Sequence, residues 1–183
     1  MKIYFVGSHS SGKSTLSRYV SEKYKVPMIT EVARSILAER ELSLDSLRVN
    51  LDLVDEFQSD IFYRQIKEET KYNNFVSDRS YDCLAYAAQH SRVFNEIINS
   101  NELKDYIETL SKPDVCIFFV RPSKQTLKED GVRESLNWDH MVSINTIIKF
   151  VMDMYEIPYI QIDSPNLKER IKIIESILCL KNN

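Results

Sequence analysis

The stretch Gly7-Ser8-His9-Ser10-Ser11-Gly12-Lys13-Ser14-Thr15 constrains this chain more than any other part of it. It follows directly on a short apolar run, Ile3-Tyr4-Phe5-Val6, and leads into apolar residues at helical spacing, Leu16, Tyr19, Val20 and Tyr24. Strand, glycine loop and helix start form the order that an anion-binding loop requires. The glycines let backbone N–H groups turn inward, and the helix N-terminus faces the same anion with its dipole. The spacing G-x-x-x-x-G-K-[ST] adds a lysine for the outer phosphates and a hydroxyl for Mg2+. Residues Gly7, Ser10, Ser11, Gly12, Lys13, Ser14 and Thr15 therefore read as a nucleoside triphosphate loop, with Ser14 on the metal. His9, in a variable position, reads as a loop side chain.

Glycine usage sharpens this. The chain holds 3 glycines in 183 residues, where average usage would give roughly thirteen. Two are the fixed positions of the loop, and the third, Gly131, stands in Glu129-Asp130-Gly131-Val132-Arg133. A chain this sparing keeps glycine where backbone conformation or close approach demands it.

The rest of the chain alternates strand-like and helix-like segments. Val26–Thr30, Asn74–Asp78, Asp114–Val120 and Ile157–Asp163 read as strands, the third apolar nearly throughout and so covered on both faces. Between them, helical periodicity marks 31–41, a long amphipathic helix from Ser46 (capped by Asp45) to about Tyr72, an alanine-rich helix in 79–90, a helical stretch to Leu110, and helices over 141–155 and 166–180. Five strands alternating with helices imply a parallel sheet with helices on both faces, in one α/β domain spanning 1–183.

Composition sets limits on function. A formal charge of −3 gives no global pull toward nucleic acid or acidic lipid. Cys83, Cys116 and Cys179 lie far apart with no C-x-x-C pair, and read as small apolar fillers in a reducing compartment. No apolar run reaches membrane-spanning length, so the expected setting is cytoplasmic and without a membrane.

What happens to the bound phosphate depends on the strand ends. A GTP-dependent switch would show N-K-x-D and D-x-x-G strings, and neither occurs. An AAA-type or motor ATPase would end an apolar strand in acidic residues, whereas the strongest strand here ends Val120-Arg121-Pro122. Both alternatives lose ground. A kinase needs a carboxylate near the acceptor and cations for the transferring group. Glu31 and Arg34 follow the second strand, Asp78 and Arg79 the third, and Arg133 lies beyond the fourth. In a parallel sheet these fall at the carboxyl edge, where the loop also opens.

Gly7–Leu16, Thr30–Arg34, Asp55–Asp60, Ser77–Ala87 and Asp130–Arg133 together resemble P-loop nucleoside and nucleotide kinases, in the nicotinamide riboside kinase-like, deoxynucleoside kinase-like and thymidylate kinase-like branches. The resemblance implies a three-layer P-loop NTPase fold with a five-stranded parallel sheet and a helical lid at about 122–140. It implies Mg2+ and ATP as cofactors, and Glu31 as general base or partner of the acceptor hydroxyl. Asp78 would support the metal beside Ser14, Arg79 would hold a phosphate or brace Glu31, and Arg34 would bind an anionic group. Gln58, in Phe57-Gln58, would read a base edge, and its place on the inward stripe of its helix is otherwise odd for an amide. Arg133 would close with the lid on the transferring phosphoryl. The implied activity is transfer of the γ-phosphoryl of Mg-ATP to a nucleoside or nucleotide. A hydroxyl on DNA or RNA and a regulatory ATPase without transfer remain the alternatives. Val32 after Glu31 departs from the proline usual in deoxynucleoside kinases, and Asp78 stands where they carry glutamate. A second copy of the chain, as a homodimer, remains open.

Overall fold

The computed structural model describes residues 1–30, 32–40, 50–124 and 138–181. Five strands, β1 (Lys2–Val6), β2 (Met28–Ile29), β3 (Phe75–Ser77), β4 (Val115–Val120) and β5 (Ile160–Ile162), pair in the order β2-β3-β1-β4-β5, every pair parallel. The described helices are α1 (Lys13–Tyr24), α2 (Val32–Glu39), α3 (Leu51–Glu69), α4 (Cys83–His90), α5 (Phe94–Ile98), α6 (Asn101–Leu110), α7 (Trp138–Met154) and α8 (Leu167–Lys181). The five-stranded parallel sheet flanked by helices is the architecture the sequence implied.

Period-two alternation divides the core in two. Tyr4 and Val6 of β1, with Val115, Ile117 and Phe119 of β4, face a layer that includes Val54 and Phe57 of α3, Leu84 of α4 and Ile144 of α7. Ile3 and Phe5, with Cys116, Phe118 and Val120, face Leu16 and Val20 of α1 and Ile174 and Leu178 of α8. Phe5 pairs with Phe118 in the ladder, and their rings stack at 5.2 Å. β1 lies at the centre, and the chain leaves it toward β2 on one side and later crosses to β4 on the other. The carboxyl edge at this reversal is where an open parallel sheet offers a binding crevice.

Several boundaries differ from the sequence reading, each for a local reason. β2 and β5 are shorter because only Met28–Ile29 and Ile160–Ile162 find ladder partners. The long helix is capped by Asn50, whose side-chain oxygen accepts from the Asp52 and Leu53 N–H groups at 3.0 and 3.2 Å; Asp45, the cap read from sequence, lies outside the described residues. Residues 79–82 do not join α4. The Ser77 hydroxyl donates to the Arg79 carbonyl at 2.7 Å and accepts the Arg79 N–H at 3.3 Å, a local bond that competes with helix. Cys83 and Cys116 are buried fillers as read, but Cys179 is exposed, on the outward side of α8.

A buried carboxylate ties the sheet to that loop. Glu69 accepts from the Tyr4 hydroxyl at 2.5 Å, the Tyr106 hydroxyl at 2.6 Å and the Gln65 amide at 2.8 Å. Gln65 also donates to Ser77, and Tyr106 shares a hydrogen bond with Ser80. Burial pushes the Glu69 carboxyl up to about 6, although the three hydrogen bonds pull the other way.

Candidate active site

The loop between β1 and α1 adopts the backbone its glycines permit. Gly7, Ser10 and Gly12 all have positive φ, at 146°, 57° and 94°. A Cβ on Gly7 would sit 2.4 Å from the Val120 carbonyl oxygen, so the end of β4 packs where only glycine fits. Three helices then fix the outside of the loop. Asn145 of α7 accepts the Ser8 N–H at 2.8 Å, and the Tyr86 hydroxyl of α4 accepts the His9 N–H at 3.1 Å while meeting His9 Nδ1 at 3.0 Å. The buried Arg170 of α8 donates to the Ser11 carbonyl at 2.6 Å and to the Arg121 carbonyl at 3.2 Å. These contacts hold the Ser8 and His9 N–H groups and the Ser11 carbonyl, and α1 starts just beyond them at Lys13.

Lys13 Nζ donates to the Gly7 and Ser8 carbonyls, each at 2.7 Å, so the lysine arches over its own loop. Asp82 Oδ2 lies 3.9 Å from the same ammonium. Asp82 is buried, which pushes its carboxyl up to about 6, against the lowering effect of the Lys13 and Arg79 charges and the Gly7 N–H.

Ser14 Oγ donates to Asp78 Oδ2 at 2.6 Å, and Thr30 Oγ1 donates to the same oxygen at 3.1 Å. Asp78 is buried, and its other oxygen, Oδ1, finds no hydrogen-bond partner among the described residues. A hydroxyl and a carboxylate with a spare oxygen, beside a phosphate loop, suit a hard cation. Mg2+ takes one or two protein oxygens and completes its shell with phosphate and water. The donor set therefore fits Mg2+. Among the described residues no group of three or more His, Cys, Asp or Glu offers an all-protein metal cage.

The structure brings Ser14, next to Lys13 in the chain, into contact with Asp78, and Arg79 is close enough for its charge to act on Asp82. Ser11 is buried, with its Oγ unpartnered among the described residues, and Thr15 is exposed in the first turn of α1. Gln58 is buried on α3 and its Oε1 finds no hydrogen-bond partner among the described residues. Glu31, Gly131, Arg133 and the Arg34 side chain lie outside the described residues. Trp138 opens α7, with Lys124 Nζ 5.2 Å from its ring centre.

Sequence reasoning missed Asp82, Asn145, Arg170 and Thr30. Asn145 carried the signal that marked Gln58, an amide on the inward stripe of its helix beside Met141, Ile144 and Ile148. Arg170 fell on the inward face of the last helix, four residues before Ile174. Asp82 and Thr30 carried none, because only the fold brings them to the loop. Two described clefts border the site: one of about 310 Å³ under α7 beside β4 and β5, sharing Asn145, and one of about 260 Å³ between β2, α2 and α3, sharing Thr30. The loop's chemistry, rather than cavity size, identifies the site.

The AAA domain family profile matches residues 2–170, and the chain belongs to that family. The family's name runs against the sequence argument that disfavoured an AAA-type ATPase. No curated protein matches the chain. Among solved structures, deoxyadenosine kinase from M. mycoides is 18% identical with a TM-score of 0.66, over 97% of this chain and 98% of that one. NadR, bound to NR, is 14% identical with a TM-score of 0.73, over 100% of this chain and 52% of NadR. Shikimate kinase from Acinetobacter baumannii is 13% identical with a TM-score of 0.60, over 98% and 91%. The fold is the P-loop kinase fold that these structures share. Among the described residues no helix is long and apolar enough to cross a membrane.

Proposed function

We propose that the protein is an ATP-dependent phosphotransferase that moves the γ-phosphoryl group of Mg-ATP to a nucleoside or nucleotide. The observation that carries this is the Ser14–Asp78 hydrogen bond beside Lys13, at the carboxyl edge of the sheet, with an unpartnered buried Gln58 amide oxygen on the neighbouring helix. The loop N–H groups and Lys13 would hold the phosphates, and Ser14 and Asp78 would hold Mg2+, which would supply charge neutralisation there. Arg79 and Arg34 bind anionic groups of the acceptor side. Glu31 orients or deprotonates the acceptor hydroxyl, and Arg133 meets the developing charge as the lid at about 122–140 closes. Chemistry of this kind is mostly positioning and electrostatics.

Gln58 supports an acceptor that carries a base. An amide reads such an edge with both donor and acceptor, and leaving it unpaired is costly. Solved structures of this fold hold the products dCMP and dCDP, NR or shikimate, so the fold is compatible with several ligands. The setting we propose is cytoplasmic, where ATP is available and the cysteines stay reduced.

γ-Labelled ATP with Mg2+ and a panel of nucleosides, nucleoside monophosphates, nicotinamide riboside, DNA and RNA tests the proposal, with Lys13→Ala as control. Label on a nucleoside or monophosphate, lost in a Lys13→Ala protein that still folds, supports it. Full activity of Lys13→Ala overturns it. A second reading, an ATPase that releases phosphate without labelling any acceptor, is favoured by the AAA family assignment.

A further inference from the structure

Asp82 occupies the N-cap position of α4, yet its side chain makes no cap hydrogen bond. Aspartate at this position ordinarily accepts an N–H of the first helical turn. Here the carboxylate turns away from its helix and is buried at 3% exposure. One oxygen lies 3.9 Å from Lys13 Nζ, and the other has no hydrogen-bond partner among the described residues. A buried carboxylate that does not cap its helix is costly unless something else needs the charge. The groups facing it are Lys13 at the start of α1, the Gly7 N–H of the loop, Arg79 and Asp78 after β3, and Tyr81 and Cys83 beside it in the chain. The cations and the N–H belong to the phosphate site.

We infer that Asp82 is a positioning residue for the phosphate loop: it holds the Lys13 ammonium in place and competes with incoming phosphate for that charge. The inference rests on the reading of residues 7–15 as a phosphate cradle. Lys13 is released to phosphate only as a triphosphate supplies more negative charge than Asp82 does. Asp82 thereby orients the lysine for transfer at some cost in ground-state affinity, which favours turnover over tight binding.

The test is binding of tripolyphosphate, ATP, ADP and adenosine to the wild type and Asp82→Asn at pH 8, with turnover counted per bound nucleotide. Asparagine keeps the shape and can still accept the Gly7 N–H. The expected result is about fivefold tighter binding of ATP, a smaller gain for ADP and none for adenosine, since the pull of a lysine freed from Asp82 scales with ligand charge. Turnover per bound nucleotide falls about tenfold. In a Lys13→Met background the same change shifts ATP affinity by less than about twofold, because the effect runs through the lysine. A purely structural Asp82 would lower the melting temperature and bound fraction without ordering the ligands by charge, and that result overturns the inference. Unchanged affinity and turnover overturn it too. If Asp82→Asn does not fold, Asp82→Ser carries the same comparison. Failure of the wild type to bind tripolyphosphate or ATP removes the phosphate-cradle reading itself, and the inference with it.

Discussion

Ser14 and Asp78 are 64 positions apart in the chain and their side chains meet at 2.6 Å. The contact joins the first turn of α1 to the end of β3, and it pairs a hydroxyl with a carboxylate, an oxygen donor set that suits Mg2+. Ser14→Ala should raise the Mg2+ concentration for half-maximal transfer about tenfold, and Asp78→Asn should lower kcat about a hundredfold. Mg2+ titration at fixed ATP checks both. An unchanged Mg2+ requirement in Ser14→Ala would take the metal role away from this pair.

Gly7 is packed against the end of β4. An alanine there would put its Cβ 2.4 Å from the Val120 carbonyl oxygen at a φ of 146°. Gly7→Ala should therefore lose on the order of 2–3 kcal/mol of stability, together with ATP binding. Gly12→Ala meets only the Arg170 guanidinium, at 3.2 Å, and should lose less. Urea midpoints of the two variants, measured side by side, test the ordering.

Glu69 supplies a pH signature. Its carboxyl is raised from 4.5 to about 6 by burial, so the folded state holds its proton to higher pH than the unfolded chain does. The associated stability is present below about pH 4.5 and is lost as pH rises through about 6, a change of about 2 kcal/mol. Glu69→Gln carries no such proton. The wild type minus Glu69→Gln difference in urea midpoint should fall between pH 4.5 and 6.5 and then level off. A flat difference would mean that Glu69 is not protonated in the folded interior.

Gln58→Leu should raise KM for a nucleoside acceptor roughly 10- to 100-fold while leaving KM for ATP within about twofold. The leucine has nearly the same volume but no amide, so the acceptor's base edge would lose its partner. Steady-state kinetics with the acceptor found in the labelling panel give the answer. An equal rise in both constants would count against base reading.

Much of the site was legible because its residues are local. Gly7 through Ser14 are contiguous, their spacing has one physical use, and strand and helix patterns flank them on both sides. Asp78 and Arg79 could be placed because a strand ending in a carboxylate must deliver it to the carboxyl edge of a parallel sheet. Gln58 announced itself as an amide on an apolar stripe. Asn145 carried that same mark unread, and it turned out to hold the loop through the Ser8 N–H.

The cap of the long helix shows the other side. Asp45, Ser46 and Asn50 are all capping types, so residue type alone did not choose between them; the backbone at Asn50, extended with its side chain reaching two N–H groups, did. The start of α4 was set by Ser77, whose hydroxyl holds the Arg79 backbone in a loop that periodicity reads as helix.

By itself the sequence determined the alternation of five strands with helices, the phosphate loop and the edge of the sheet on which charged residues gather. These follow from periods of two and 3.6 residues and from backbone conformations open mainly to glycine. Only the tertiary structure decided that Asp82 faces Lys13, that Arg170 braces Ser11 and that Glu69 gathers Tyr4 and Tyr106. Each of these contacts joins residues on different elements, and no local pattern records a distance that exists only after the layers have packed.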